Sequence, residues 1–471
     1  MSKKSHMVLA LVLLLSMVLT AGGPVGAQEM GVELTAEETL GGDATGVVYE
    51  RKDSIYNGEP ITLEIWDWFT SRTILWQAWA PLYTELYPNV TVEITRIPDM
   101  GTKLVTAIPA GEGPDIYAFH NSMRSVFVVN DLTEPFPEDL FDPAFYLENY
   151  YGFQEGHFQD DQGRIRYLNY GAMAAELYVN TRMWEEAGLT EADAPKTWDD
   201  LLELATRLTK YDDAGNIDVA GFAFNGGDIG VIWIDMIMQL GRYVHTADGM
   251  GCQINTPEGR RALETIEAFY DANVNSRDFL ESGEAFQTEK AAIIYSWTWR
   301  SGNLRVNYPD LEFFTLPLPT FTGEWLPAYG RQNYDVSHVV SANKPADRQA
   351  VAWDFMHWIH SQDEYLVDMA LTLNIPPGYK KLGTHPRILA DPPLAILAEA
   401  LPFTVFPGDY PIALDDALIP YVQGNLMAGG VSIDDMLAQA QETCDLGMQE
   451  SPYWIVERTY VHDDQMIPDQ P

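Results

Sequence analysis

Residues 166–208, RYLNYGAMAAELYVNTRMWEEAGLTEADAPKTWDDLLELATRL, contain the features that decide the fold. The stretch opens with an extended apolar segment, 167–179, that is interrupted by small residues at Gly171, Ala172, Ala174 and Ala175. Small residues tolerate changes in φ and ψ, which suits a segment that leaves one lobe of a protein and enters another. We therefore expect two lobes with a hinge at this segment.

Two helices are predicted immediately after the hinge segment. Asn180-Thr181 is a start signal for a short helix that Gly188 ends, and Thr197 is placed to cap a longer one. The longer helix carries four apolar residues on one face (Leu201, Leu204, Ala205 and Leu208). This pattern is typical of a helix that covers a sheet.

Upstream, two alternating apolar segments, 61–66 and 90–94, and a third predicted strand, 114–119, are separated by helical stretches. That order favours a parallel sheet with helices on its faces. Ligands of such sheets bind beyond the carboxyl ends of the strands. The rule selects six residues after the first and third strands: Trp66, Asp67, Trp68, Phe119, Asn121 and Ser122.

Further candidate ligand-binding residues occur downstream. They are polar or aromatic residues at predicted strand ends, helix starts and the return to the first lobe: Asn225, Asp228, Trp233, Trp297, Tyr329 and Arg331. Aromatic rings stack on the apolar faces of sugars, and carboxylate, amide and guanidinium groups bond the hydroxyls. Core packing, or a turn or helix-capping role, is the alternative for each of them.

The composition excludes some classes of partner. The chain has 471 residues, a formal charge of −41 and a sequence pI near 4.3. Such a charge repels phosphate backbones and anionic lipids, so we expect no nucleic-acid binding. Solubility outside the cell, in salty or hot surroundings, would account for the acidity, and the sequence does not decide between these reasons.

Residues 1–27 have the pattern of a secretory signal peptide. Lys3 and Lys4 precede an apolar core, and small residues before Gln28 form a cleavage site. Gly23 stands where a lipoprotein would have its lipid-bearing cysteine. We expect a protein exported to the periplasm or beyond, soluble after cleavage, with a flexible acidic segment at 28–58; retention of the signal as an anchor stays open.

Cys252 and Cys444 are the two cysteines of the chain. In an oxidising compartment they would form a disulfide, and two separate buried thiols are the alternative. The sequence leaves both open because it does not place the two Cα atoms.

Neither a metal site nor an active site is predicted. His357 and His360 share a helix face, with His338 upstream, but exposure or packing beside Trp358 explains them better than metal binding. The chain lacks a Gly-x-Ser-x-Gly elbow, a His-Glu-x-x-His pair and a phosphate loop. We expect a protein without cofactors that is not an enzyme.

Several motifs resemble one family. They are Tyr87-Pro88-Asn89-Val90, Ala110-Gly111-Glu112-Gly113-Pro114-Asp115, Val179-Asn180, Ala187-Gly188-Leu189, Pro195-Lys196-Thr197-Trp198 and residues 286–299. This chain is similar to the extracellular solute-binding proteins of family 1, the sugar-binding group of ABC importers. Val179, Glu289 and Ile293 depart from the family's aromatic, glycine and methionine at those positions.

The resemblance implies the type II periplasmic-binding-protein fold, with two mostly parallel α/β lobes and a multi-strand hinge. The lobes would be 59–170 with 331–390 and 171–330 with 391–471. It also implies a monomer that closes on a small ligand, most simply a carbohydrate, and delivers it to the permease subunits of an ABC importer. In the family a tryptophan at the position of Trp297 lies against the ligand. A secreted carbohydrate-active enzyme and a periplasmic sensory receptor are the alternatives.

Overall fold

The structure, a computed structural model, describes residues 59–120, 123–128, 130–151, 158–160, 162–246, 251–326, 328–334, 337–406 and 412–450. The predicted signal peptide and the acidic segment 28–58 lie outside the described residues, so both stay predictions. Within the described ranges, no helix is long and apolar enough to span a membrane.

The strands are short, and most are buried. In chain order they are β1 (Ile61–Asp67), β2 (Val90–Arg96), β3 (Ile116–Phe119), β4 (Ala172–Met173), β5 (Ala175–Asn180), β6 (Lys210–Tyr211), β7 (Ile217–Ala223), β8 (Ala291–Trp297), β9 (Phe313–Leu316), β10 (Gly330–Arg331), β11 (Asn333–Tyr334), β12 (Ser337–Val340) and β13 (Thr404–Val405).

The α-helices follow the same order. They are α1 (Thr70–Leu86), α2 (Met100–Ala107), α3 (Arg124–Phe127), α4 (Pro143–Asn149), α5 (Thr181–Glu186), α6 (Trp198–Leu208), α7 (Asp228–Gln239), α8 (Pro257–Asp271), α9 (Ser282–Gln287), α10 (Trp299–Asn307), α11 (Ala346–His360), α12 (Asp363–Leu373), α13 (Pro386–Leu389), α14 (Pro392–Ala400), α15 (Ile412–Ala417), α16 (Asn425–Ala428) and α17 (Ile433–Glu450). A π-helix, Leu418–Gly424, joins α15 to α16.

The chain divides into two compact units. Unit 1 runs to Ala172 and includes Tyr334–Ile388, and unit 2 comprises Met173–Asn333 and the chain from Leu389 onward. The predicted lobe boundaries, 170/171, 330/331 and 390/391, fall within three residues of these divisions. The chain crosses between the units inside β4, inside β11 and after Ile388.

Unit 1 contains a four-stranded sheet in the order β12-β3-β1-β2. Strand β1 is parallel to β2 and β3, and β12 is antiparallel to β3. The alternation in β1 buries Leu63 and Ile65 completely. Because three aromatic residues of α1 (Trp76, Trp79 and Tyr83) are also buried, this helix covers one face of the core.

Unit 2 contains a five-stranded sheet in the order β6-β7-β8-β5-β9. It differs from the predicted mostly parallel sheet, because only the β7–β8 pair is parallel and β5 is antiparallel to both of its neighbours. All six residues of β5 are buried. A largely apolar, fully buried segment marks such a central strand but carries no information on the direction of its neighbours.

The local signals after the hinge segment are confirmed. The Asn180 carboxamide oxygen accepts a hydrogen bond from the Met183 backbone N–H at 3.0 Å. Thr197 Oγ1 accepts the Asp200 N–H at 3.1 Å, and the Asp200 carboxylate accepts the Thr197 N–H at 2.9 Å. This reciprocal capping fixes the start of α6, whose predicted inner residues are all buried.

Cys252 and Cys444 form a disulfide within unit 2. The bond joins the segment after α7 to α17, across a sequence separation of 192 residues. The alternative of two separate buried thiols is therefore wrong.

Candidate functional site

Trp297 ends β8 in unit 2, and its side chain is partly exposed. The Arg331 guanidinium lies over its ring, 4.8 Å from the ring centroid. Arg331 belongs to β10, and its residue is only 8% exposed. The sequence predicted both residues as ligand contacts, and the structure brings them together.

Asp235 is the buried hydrogen-bond partner of the Arg331 backbone. It lies on α7, is fully buried, and accepts the Arg331 backbone N–H at 2.6 Å. The Tyr295 hydroxyl on β8 donates to the same carboxyl at 2.5 Å. Burial raises the pKa of Asp235 to about 6, although Arg331 and Tyr295 oppose that rise. The backbone of Arg331 is thereby fixed, and its guanidinium lies over the Trp297 ring.

Two more carboxyls have raised pKa values in unit 2. Burial raises the pKa of Asp228 to about 6, against the charge of Arg300 and a hydrogen bond from Ser282. Burial likewise raises the pKa of Asp415 to about 6, against the charge of Arg331. The charge of Arg331 thus opposes the raised pKa of both Asp235 and Asp415, whereas Arg300 opposes that of Asp228. Carboxyls whose pKa values are perturbed by burial beside a charged partner are typical of functional sites.

Three predicted contacts in unit 2 have structural roles instead. Trp233 is fully buried in the hydrophobic core and donates its indole N–H to the Gly259 carbonyl at 2.9 Å. Asn225 is fully buried and braces the Ser276 and Phe279 carbonyls. The buried Tyr329 hydroxyl is held by backbone groups of two neighbouring segments. Their burial and satisfied hydrogen bonds argue against the predicted ligand contacts.

Asp67 also has a structural role, in unit 1. Its buried carboxylate receives two hydrogen bonds from the Arg72 guanidinium, both at 2.8 Å. His338 Nε2 lies 3.2 Å from the same carboxylate. Although burial opposes ionisation, Arg72 and His338 hold the pKa of Asp67 well below its usual range. Both carboxylate oxygens of Asp67 therefore accept hydrogen bonds from within unit 1.

The other predictions in unit 1 divide into three groups. Phe119 is fully buried and packs on Tyr167, with ring centroids 4.8 Å apart, which argues against a ligand contact. Trp66 and Trp68 are partly exposed and stay predictions; the Arg72 guanidinium lies 4.6 Å from the Trp68 ring. Asn121 and Ser122 lie outside the described residues.

The buried histidines His338 and His360 lie among aromatic and acidic side chains of unit 1. Among the described residues, no group of three or more His, Cys, Asp or Glu side chains is arranged to hold a metal ion. His338 contacts Asp67 and Trp76, while the His360 imidazole stacks on Tyr170 with ring centroids 3.6 Å apart. His360 is therefore packed among aromatic rings, but against Tyr170 and not beside Trp358 as the sequence suggested.

Sequence reasoning missed Asp235, Tyr295 and Asp415. A signal for Asp235 was present, because it is the one charged residue in the apolar run 229–238 of α7. A lone carboxylate there must be buried and must therefore have partners. Tyr295 and Asp415 carry no comparable local signal, because their proximity to Arg331 depends on the folded structure.

Comparisons with known proteins agree with this fold. The chain is 24% identical over 324 residues to a maltotriose-binding protein of Pyrococcus abyssi, and the match spans 68% of this chain but 66% of that relative, just under two thirds. A maltose/maltodextrin-binding domain from Bdellovibrio bacteriovorus, bound to maltotriose, has a TM-score of 0.66 at 18% identity and covers 83% of this chain and 100% of its own. A cyclic alpha-maltosyl-1,6-maltose binding protein from Arthrobacter globiformis gives 0.68 at 19% identity, with the same two coverages of 83% and 100%. At these identities the structural likeness shows the fold.

The family follows from the sequence itself. The profile described as bacterial extracellular solute-binding protein matches residues 69–365, which is more than half of the chain. This family consists of binding proteins, in agreement with the expectation that the chain is not an enzyme. The chain belongs to the bacterial extracellular solute-binding protein family.

Proposed function

We propose that this protein captures a carbohydrate outside the cytoplasm and that Trp297 and Arg331 of unit 2 contact it. The observation that carries the proposal is the partly exposed Trp297 ring with the Arg331 guanidinium over it. The Arg331 backbone N–H donates to the buried Asp235 carboxyl at 2.6 Å, which holds this arginine in place. Sugars bind where an aromatic face meets a few fixed polar groups. This arrangement supplies both.

Each residue has a distinct role in this proposal. The Trp297 ring packs on the apolar C–H face of a sugar, and the Arg331 guanidinium donates to its hydroxyls. Asp235 orients Arg331 by accepting its backbone N–H, which reduces the conformational entropy that Arg331 loses when the ligand binds. Asp228 and Asp415, with pKa values near 6, offer further acceptors. The residues bind and orient a ligand, and no bond of the ligand is broken.

The names of the similar proteins support a carbohydrate. They bind maltotriose, maltodextrin and cyclic maltosyl-maltose, and a Thermotoga lettingae ABC transporter solute-binding protein among the similar structures was solved with α-D-tagatose. We propose that this chain acts as an exported monomer that passes its ligand to the permease subunits of an ABC importer.

A ligand screen tests the proposal. Purified protein is heated with maltotriose, maltose, tagatose, amino acids or short peptides, and the melting temperature is recorded. A ligand at a hundred times its Kd stabilises the folded protein by about 2.7 kcal/mol. We expect a sugar to raise the melting temperature and to be recovered unchanged after long incubation. Stabilisation by amino acids or peptides alone, or the appearance of hydrolysis products, would refute the proposal.

A further inference from the structure

A cavity of about 340 Å³ lies within unit 1. It is enclosed by α4, by the end of α11 and by the start of α12. Its volume falls at the lower end of the range for small-molecule sites, roughly 300–1,000 Å³. The described residues that line it all belong to unit 1, whereas Trp297 and Arg331 belong to unit 2.

One wall of the cavity is aromatic and already in place. The Tyr150 and Tyr379 rings are stacked at 8°, with centroids 5.3 Å apart, and Phe145 extends this wall while remaining 41% exposed. A Cβ atom at Gly378 would lie 3.0 Å from the Asn169 carbonyl oxygen and 3.3 Å from the Tyr150 ring. Glycine therefore permits the close backbone approach that holds these rings in position.

His360 contributes a hydrogen-bond acceptor without a partner. Its Nδ1 lies 2.9 Å from the Met356 carbonyl oxygen, which can only accept, so Nδ1 carries the proton and Nε2 has a lone pair. Among the described residues, Nε2 has no hydrogen-bond partner. Burial, followed by the nearby His338, holds the pKa of His360 well below its usual range. A neutral imidazole with a buried, unpaired acceptor requires an O–H or N–H donor.

The charges around the cavity narrow the ligand class. Asp142 and Asp363 line it, and no described lining residue is Lys or Arg, so an anionic ligand is disfavoured. An ammonium group already occupies the acidic side, because Lys381 Nζ lies 2.6 Å from Asp363 Oδ2 and 5.7 Å from the Tyr379 ring centroid. An uncharged ligand that donates hydroxyl hydrogens suits the remaining acceptors.

We propose that this cavity is a second binding site, for one ring or chain of a neutral polyhydroxy compound such as a sugar or a polyol. A ligand hydroxyl donates to His360 Nε2, further hydroxyls reach Asp142, and the apolar face of the ligand packs on the wall of Phe145, Tyr150 and Tyr379. The site is independent of the function proposed for Trp297, because the two share no residue.

Saturation-transfer NMR on the full chain tests this site. The parent is the Trp297→Ala/Arg331→Met variant, which removes both side chains that the unit 2 proposal assigns to the ligand, and the probes are glucose, sorbitol and choline at millimolar concentration. Ser361→Trp, added to the parent, fills the mouth of the cavity at an exposed position. Thr106→Trp is the matched control, since Thr106 is also exposed in unit 1 and its hydroxyl likewise donates to the carbonyl three residues earlier.

We expect glucose or sorbitol signals in the parent and in the Thr106→Trp control, and their loss in the Ser361→Trp variant. His360→Phe keeps a ring against Tyr170 but removes the hydrogen-bond acceptor, so it should also weaken the signal. Melting temperatures show whether each variant folds. If Ser361→Trp does not fold, His360→Phe decides the outcome. Absence of signal from a folded parent, signal that survives both changes, or signal from choline alone would overturn the proposal. The wild-type response at Trp297 is measured separately, so either proposal can fail without the other.

Discussion

Asp67 in unit 1 and Asp235 in unit 2 are both fully buried, and each has an arginine beside it. Arg72 directs its guanidinium to Asp67 through two hydrogen bonds of 2.8 Å. Arg331 donates its backbone N–H to Asp235 at 2.6 Å, while its guanidinium lies over Trp297. The same two residue types therefore pair through the guanidinium in unit 1 and through the arginine backbone in unit 2.

The pKa values record this difference. The pKa of Asp67 is lowered because Arg72 and His338 outweigh the cost of burial. The pKa of Asp235 is raised to about 6 because burial outweighs the more weakly coupled Arg331 and Tyr295. A buried carboxylate that accepts hydrogen bonds from a guanidinium thus has a lowered pKa, whereas the buried carboxyl that accepts only a backbone N–H from its arginine has a raised one.

Unit 2 contains the disulfide, and its removal is expected to change the free energy of unfolding more than any other substitution considered. The Cys252–Cys444 bond lies in unit 2 and closes a loop over a sequence separation of 192 residues. By the chain-entropy relation, its removal should lower the free energy of unfolding by about 5 kcal/mol. Denaturant unfolding of the Cys252→Ala/Cys444→Ala variant measures the loss. An unchanged free energy would mean that packing alone holds α17.

Arg72→Met and Arg331→Met compare the two arginines directly. Arg72→Met leaves Asp67 buried without its charge partner and should cost about 3–5 kcal/mol in unfolding free energy. Arg331→Met should cost less than half as much, because the backbone N–H to Asp235 remains and Asp235 can take up a proton. Adding Asp67→Asn to Arg72→Met should restore part of the loss. Equal losses of unfolding free energy in Arg72→Met and Arg331→Met would contradict the difference between the two arginines.

The two carboxylates should respond to pH in opposite directions. Asp67 has a lowered pKa in the folded state, so its stabilisation is present above the unfolded pKa near 4 and is lost as the pH falls further. Asp235 has a raised pKa, so its stabilisation is present below pH 4 and is lost as the pH rises through about 6, by roughly 3 kcal/mol.

Unfolding free energies of Asp67→Asn, Asp235→Asn and the wild type between pH 3 and 7 measure these changes. The Asp235→Asn protein should gain on the wild type as the pH rises from 4 to 7. The Asp67→Asn difference should be constant above pH 5. Parallel curves for all three proteins would show that neither carboxyl is perturbed as described.

The sequence predicted those features that depend on neighbouring residues. Thr197 and Asp200 cap α6 because they lie three residues apart, and the inner face of that helix follows from its own spacing. Strand β1 of unit 1 follows from alternation, which buries Leu63 and Ile65. The direction of β8 and β9 against β5 was not predictable, because a buried apolar strand accepts a neighbour of either direction.

The site was predictable only in part. Trp297 and Arg331 were identified from strand ends and family resemblance, but not their contact, since 34 positions separate them along the chain. Asp67 was predicted as a ligand contact although Arg72 follows five positions later, because the sequence does not show whether two side chains meet. Trp233 is a tryptophan at a predicted helix start, which is typical of a sugar contact, but tertiary packing buries it in the hydrophobic core.

The most direct test is isothermal titration calorimetry with the best sugar from the screen, comparing the wild type, Trp297→Ala and Trp325→Ala. Trp325 is a partly buried tryptophan of unit 2 that packs on Tyr329 and Phe403, so its removal controls for loss of an indole. We predict that Trp297→Ala weakens binding by about 1–3 kcal/mol and that Trp325→Ala leaves the affinity unchanged. Full affinity in Trp297→Ala, or equal weakening in both variants, would contradict the assignment of the sugar to Trp297.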